Sequence, residues 1–275
     1  MNTSEKTSSK KSPSLFRRLN IRLPWLKLIA VFSIGIIMIL DLLDITISKS
    51  SDLNNFFPTT PMSKHVKATE RELKGKMLVA LTFDDGPSSS TTTALLDILS
   101  EKNTPATFFM LGYMAESNPD IVKRAEREGH EVASHTMYHQ NLIWLTPSDI
   151  ASDIGTANSV FSNILDRTPI LTRPPYGNTN EAVRTVVGTP LILWSVDSQD
   201  WKNRDASSIV TTTMDQVHDG AIILMHDIYP TTVDAVPIII DTLRSQGYEF
   251  ATVSELADFR KVELLSGVNY YNFTP

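Results

Sequence analysis

From Met77 onward, short apolar runs alternate with longer stretches whose apolar residues recur at helical spacing. The runs Met77–Phe83, Ala106–Leu111, Glu131–Ser134, Ile170–Arg173, Leu191–Val196, Ala221–Met225 and Glu249–Val253 predict strands. Between them, Ser90–Glu101, Pro119–Glu128, Pro147–Leu165, Asn180–Val187, Ala206–His218 and Thr232–Gln246 predict helices. Seven strands alternating with six helices imply parallel pairing with helices outside. An open doubly wound sheet and a (β/α) barrel both meet that description. The polar residues separate them: Asp84, His135, Arg173, Asp197 and His226 each fall at or just past the C-terminal end of a different predicted strand. Five strand ends converging on one point suit a barrel, whose sites form at that face, whereas an open sheet would spread them along a line. The expected fold is α/β, a distorted (β/α) barrel with about seven strands, preceded by one N-terminal transmembrane helix.

That helix is read from the uncharged run Leu28–Leu40, extended past Asp41 and Asp44 by Leu42, Leu43, Ile45 and Ile47. The run is short for a bilayer, but Lys27 can snorkel at one end and the two Asp can sit near the other interface. Residues 1–27 carry seven basic residues against Glu5 alone, which places this flank in the cytoplasm and the rest outside. A cleaved signal peptide is the rival reading, although no small-residue cleavage site follows the run. The expected organisation is a basic cytoplasmic tail (1–27), a membrane anchor (28–47), a polar stalk with Pro58 and Pro61 (48–75), a catalytic domain (76–260) and a C-terminal extension (261–275). The protein would be single-pass in the cell membrane, with its domain extracellular.

Composition narrows the chemistry. The chain has 275 residues and no Cys, so thiolate chemistry and disulfides are excluded. Beyond Asp44 lie 18 of the 25 basic residues and 28 of the 31 acidic ones, so the body is acidic and a nucleic-acid partner is not expected. Nothing in the sequence implies a protein partner.

Two stretches carry candidate chemistry. Thr82-Phe83-Asp84-Asp85-Gly86-Pro87 follows the first apolar run, and His135-Thr136-Met137-Tyr138-His139 follows fifty residues later. A carboxylate and two imidazoles make a three-ligand set for a catalytic Zn²⁺ or similar divalent ion, with a further position open. The second Asp would then be free to act as a base. Each stretch alone has an ordinary reading: Asp-Asp-Gly-Pro is a common turn, and two histidines at i and i+4 share one face of any helical turn. Three further motifs follow predicted strands: Arg173-Pro174-Pro175-Tyr176-Gly177, Asp197-Ser198-Gln199-Asp200-Trp201, and Leu224-Met225-His226-Asp227.

With all five motifs in order across residues 77–254, the chain resembles the polysaccharide deacetylases, carbohydrate esterase family four, also called the NodB homology domain. Within that family it is most similar to membrane-anchored peptidoglycan N-acetylglucosamine deacetylases. The resemblance implies a distorted (β/α) barrel, one divalent metal ion (Zn²⁺, with Co²⁺ or another divalent ion as alternatives) and a glycan polymer substrate. It implies Asp85, His135 and His139 as metal ligands, Asp84 as catalytic base and His226 as catalytic acid. It implies Arg173 as the partner orienting the base and Asp200 as the partner of the acid histidine. It also implies an oxyanion donor at the Tyr176 backbone N–H, and acetyl-pocket walls at Trp201 and Leu224. Elementary chemistry agrees with these roles. Amide hydrolysis needs a base, a stabilised oxyanion and a proton for the departing amine. A carboxylate beside a histidine keeps it protonated to higher pH, and an Arg beside Asp84 is expected to keep that carboxylate ionised.

The function expected is N-deacetylation of amino sugars in cell-wall glycan. Chitin oligosaccharide, extracellular poly-N-acetylglucosamine and acetyl-xylan (as an O-esterase) are alternative substrates. A glycan-binding module without catalysis is the non-enzyme alternative. It is opposed by the presence of acid, base and metal groups together, which binding alone does not require.

Overall fold

The computed structural model describes residues 75–275. The predicted tail, anchor and stalk, as far as residue 74, lie outside the described residues. Among the described residues no helix is long and apolar enough to cross a membrane.

The elements in chain order are β1 (Met77–Asp84), α1 (Thr91–Glu101), β2 (Thr107–Met110), α2 (Gly112–Ser117), α3 (Pro119–Arg127), β3 (Glu131–Ser134), α4 (Pro147–Leu165), α5 (Glu181–Val186), β4 (Leu191–Ile192), β5 (Val196–Asp197), α6 (Asp200–Asn203), α7 (Ala206–Met214), β6 (Ala221–His226), α8 (Pro230–Ser245), β7 (Tyr248–Phe250), α9 (Val253–Phe259) and β8 (Asn269–Tyr270). Strand order is β3-β2-β1-β6-β5, with β7 also paired to β1, and β4 pairs β8 separately. All of these pairings are parallel. The architecture is a parallel-sheet α/β fold.

β1 is central because its run is apolar on both faces, as a strand covered on both sides requires. Side chains alternate along it. Val79, Leu81 and Phe83 join an outer core with helix residues such as Leu95, Leu99, Ile239 and Leu243. Leu78 and Ala80 join an inner core with Phe109, Ala133, Leu171, Ile192 and Ile222. The same period of two carries the inner face onward from Ala80 to Thr82 and Asp84. Register does the rest. Ala80, Thr82 and Asp84 lie opposite Ile222, Leu224 and His226, so Asp84 and His226 end neighbouring strands at one level. Two residues past Ala133 stands His135, and two past Leu171 stands Arg173. The inner face therefore turns from apolar to catalytic-type residues at one end of every contributing strand.

The structure departs from the predicted strands in three places. Ile170–Arg173 contributes only Thr172, which bridges Ser134 on one side and Leu191 on the other. Pro174 and Pro175 follow and have no N–H for a ladder, so the strand stops there. Leu191–Val196 divides into β4 and β5. At the break the carbonyls of Ile192 and Leu193 accept from the Arg173 guanidinium (3.0 Å each) instead of a neighbouring strand. At the last strand, Thr252 caps α9 and forms a capping box with Glu255, so the chain turns helical at Val253. Residues 261–275, read from sequence as an extension, supply β8 on the edge of β4, and Asn272 beyond it bridges Ala221 at the start of β6.

Candidate active site

The turn after β1 carries the first two site residues in opposite directions. Asp84 is the last inward residue of the strand and is buried. Asp85 has φ +76°, a left-handed conformation that swings its carboxylate away from the strand alternation. Gly86 follows because there is no room for a side chain: a Cβ there would fall on the Asp227 carboxylate.

His135 and His139 reach the same point from the loop after β3. That loop is not the helical turn that i,i+4 spacing suggests. Thr136 (φ +72°) and His139 (φ +56°) are left-handed. Side chains hold the loop in place of a helical ladder: Ser134 Oγ accepts from the Thr136 N–H (3.2 Å), Thr136 Oγ1 from the His139 N–H (3.2 Å), and Asp153 Oδ1 from the Met137 N–H (2.7 Å). The two imidazoles lie with ring centroids 5.0 Å apart.

Asp85, His135 and His139 offer ligand atoms within 4.8 Å of one another. Asp85 Oδ1 stands 3.6 Å from His135 Nε2 and 3.4 Å from His139 Nε2, too far for hydrogen bonds, and this buried oxygen has no hydrogen-bond partner. The Nδ1–H of His135 donates to the Arg173 carbonyl at 2.7 Å, which leaves the Nε2 lone pair facing the trio. Burial, outweighing the neighbouring Asp85 charge, lowers the His135 pKa to about 3, so its ring is the neutral imidazole that a metal binds. The donor set, its fixed tautomer and its orphaned oxygen fit a divalent cation.

Behind the trio lie two buried pairs. Arg173 is fully buried; its Nη1 donates to Asp84 Oδ1 and to Thr82 Oγ1, both at 2.8 Å, and its guanidinium lies 4.0 Å over the Phe109 ring. Burial pushes the Asp84 carboxyl above its ordinary range, and the Arg173 charge and hydrogen bond oppose that without cancelling it. Desolvation is the larger effect on Asp84, and Arg173 works against it in the direction expected of a neighbouring cation. Asp200, at the start of α6, is also fully buried. Its Oδ1 accepts from His226 Nδ1 at 2.8 Å, and its Oδ2 accepts from the His226 N–H and the Thr232 hydroxyl at 2.7 Å each. Burial pushes the His226 pKa down, but the Asp200 hydrogen bond and charge, helped by Asp84 and Asp85, lift it from 6.5 to about 9.

Above these groups opens a pocket of about 350 Å³ lined by Asp84, Asp85, His135, His139, Tyr176, Trp201, Leu224 and His226, with Trp194, Asp197 and Tyr229. Eight of the ten residues to which the resemblance gives a role line it, and Arg173 and Asp200 stand directly behind. Tyr176 has φ +62°, strain for a residue with a Cβ, and its ring packs edge-on to His139 at 4.7 Å. Gln199 (φ +54°) precedes Asp200 in the same left-handed region. Asp197 accepts from the Gln199 N–H (2.9 Å) and so shapes the loop that presents Asp200 and Trp201.

Sequence reasoning missed Trp194, Tyr229 and Asp227. Trp194 was hidden inside a predicted strand that in fact breaks beside it. Tyr229 was legible only as the third residue past His226, and its ring lies 5.7 Å from that imidazole. Asp227, fully buried beneath Gly86, accepts from the Thr92 hydroxyl at 2.5 Å, and burial pushes its pKa up to about 7.

Comparison with known proteins follows the same lines. The chain is 45% identical over 182 residues to the peptidoglycan-N-acetylglucosamine deacetylase PgdA of Listeria monocytogenes, a match spanning 65% of this chain and 38% of that protein. The chain thus spans less than half the length of that relative. A peptidoglycan-N-acetylglucosamine deacetylase of Bacillus cereus is 37% identical, covering 66% of this chain and 89% of the relative. Among solved structures, a family 4 acetyl xylan esterase from Clostridium thermocellum in complex with a cobalt ion superposes with a TM-score of 0.68 at 33% identity, over 72% of this chain and 99% of that one. The polysaccharide deacetylase family profile matches residues 71–189, which span β1 to the loop before β4 and so hold both Asp residues, both trio histidines and Arg173. A parallel α/β fold, the ordered motifs and relatives matched over nearly their whole length agree, and the chain belongs to the polysaccharide deacetylase family.

Proposed function

We propose that this chain is a metal-dependent hydrolase that removes N-acetyl groups from amino sugars of cell-wall glycan, a peptidoglycan N-deacetylase. The observation that carries the reading is the placement of Asp84 and His226. They end adjacent strands in register, both lining one pocket, each held from behind by its own buried partner. The returning bridge from Asn272, just past β8, to Ala221 of β6 supports reading the sheet as a distorted barrel, which gathers these strand ends. The run at 28–47 is proposed as an anchor that keeps the domain outside the membrane, close to the wall.

One Asp and two His would hold the ion, with Zn²⁺ the best match to that donor set and Co²⁺ the alternative. Bound there, such an ion polarises the acetyl carbonyl and acidifies water. The chain's own residues do the remaining work. Asp84 accepts a proton from the attacking water as its oxygen bonds to the acetyl carbon. The burial that raises the Asp84 pKa makes it a stronger base than an exposed carboxylate. The Tyr176 backbone N–H is the proposed donor to the oxyanion, while Trp201 and Leu224 wall the acetyl methyl. His226, charged through Asp200, gives its Nε2 proton to the nitrogen as the C–N bond breaks. The products are acetate and a free amine.

The test is acetate release by the metal-loaded protein from purified peptidoglycan, chitin oligomers and acetyl-xylan. Peptidoglycan is expected to be the best substrate. Preference for acetyl-xylan would replace the reading with an esterase, and no release from any of them would leave only a binding module.

The acid assignment has its own test. With its pKa at about 9, His226 keeps its proton below that pH and loses it above, so it sets the alkaline limb of the rate profile. Asp200→Asn removes the charge that raises it, and the limb of kcat/KM is expected to move down by about 1–3 pH units. The acid limb should stay in place. An alkaline limb unmoved in Asp200→Asn would show that His226 is not the acid.

A further inference from the structure

Beside the catalytic pocket lies a second cleft of about 230 Å³, lined by Tyr176, Gly177, Leu193, Trp194 and Tyr271. Tyr176 and Trp194 also line the catalytic pocket, so the two hollows share one aromatic wall. We infer that this cleft is a second sugar subsite, in which Tyr271 of the C-terminal segment stacks on a neighbouring residue of the same glycan chain whose acetyl group lies at the trio. The inference rests on the glycan reading above.

The cleft is built by the fold. β8 pairs in parallel with β4, placing Tyr270 opposite Ile192, and the Leu193 N–H donates to the Tyr270 carbonyl at 2.7 Å. These contacts set Tyr271 beside Leu193 and Trp194. Gly177, at φ +67°, lets the indole lie against the loop, because a Cβ there would come within 2.8 Å of the Trp194 ring. Tyr176 and Tyr271 are 62% and 51% exposed, so both side chains are accessible to a ligand from solvent. No charged side chain lines the cleft, which argues against an ionic ligand. Aromatic faces with phenol hydroxyls at their edges match a pyranose, which has apolar C–H faces and a polar rim. A polymer with one sugar in the catalytic pocket carries its neighbours across the shared wall, so continuity of the substrate supplies the occupant.

The experiment compares N-acetylglucosamine with its linear hexamer on the full-length protein. Binding is followed by tryptophan fluorescence, which needs no turnover, and kcat/KM by acetate release. Tyr271→Ala is expected to weaken hexamer binding, and to lower kcat/KM on it, about fivefold more than for the monosaccharide. Tyr271→Phe keeps the ring and should hold the hexamer within about twofold of the parent. An equal effect of Tyr271→Ala at both lengths, or a Phe variant as impaired as the Ala variant, would overturn the subsite. Length-dependent binding lost in Tyr271→Ala, in a protein that releases no acetate, would support the subsite and defeat the deacetylase reading instead.

Discussion

Asp84→Asn is expected to lower kcat by about 10²–10⁴-fold while the protein still binds its metal. The carboxylate ends β1 on the inner face, buried, 2.8 Å from Arg173 Nη1, and its other oxygen lies 3.8 Å from His135 Nε2. It stands beside the trio without belonging to it. The amide keeps the volume and an oxygen for Arg173, but it cannot take a proton from water. Arg173 would lose its only carboxylate partner among the described residues, so a lower melting temperature is also expected. The guanidinium retains Thr82 Oγ1 and the carbonyls of Ile192 and Leu193, which should keep the variant folded at assay temperature. The measurement is kcat alongside metal content and circular dichroism. A variant that is folded, loaded and nearly as fast as the parent would end the case for Asp84 as base.

His135→Ala and His139→Ala should each lose metal and activity together, unlike Asp84→Asn. With three protein ligands, removing one leaves two, and the affinity should fall by more than the roughly 10–100-fold typical of losing a mere supporting contact. His135 has the further role of a buried ring tied to the Arg173 carbonyl, so its removal should also cost stability; His139, partly exposed, isolates the ligand effect. Elemental analysis after dialysis reads the outcome directly. Chelator treatment of the parent should reproduce the loss, and added Zn²⁺ or Co²⁺ should reverse it there but not in the variants. Metal content equal to the parent in both variants would refute the trio.

Local features of this fold were legible in the chain. Helix starts such as Pro147 behind Thr146, whose hydroxyl accepts from the Asp149 N–H, and Asp205 before α7 are written in capping residues. β1 announced itself as an apolar run with the metal-type Asp pair at its end. The five motifs, read in order, named the residues now found in or behind the pocket, Trp194 and Tyr229 excepted. These signals are local: periodicity, caps and short spacings act within a few residues, so a linear reading captures them.

What the sequence by itself determined is the inventory: parallel α/β elements in alternation and the acid, base and ligand residue types at strand ends. Tertiary structure alone decided how they meet. The Asp84–His226 register joins residues on β1 and β6 that lie far apart in the chain. The i,i+4 histidines converge through left-handed backbone and side-chain bonds from Ser134 and Asp153, not through a helix. Arg173 takes two carbonyls and so breaks a predicted strand, exposing Trp194, while β8 brings Tyr271 alongside it. The balance that raises the Asp84 pKa despite its Arg partner likewise depends on burial, a property of the assembled fold. The physical reason is common to all four: strand register, burial and long-range hydrogen bonds are set by residues distant in the chain, and no local periodicity encodes which of them will be neighbours.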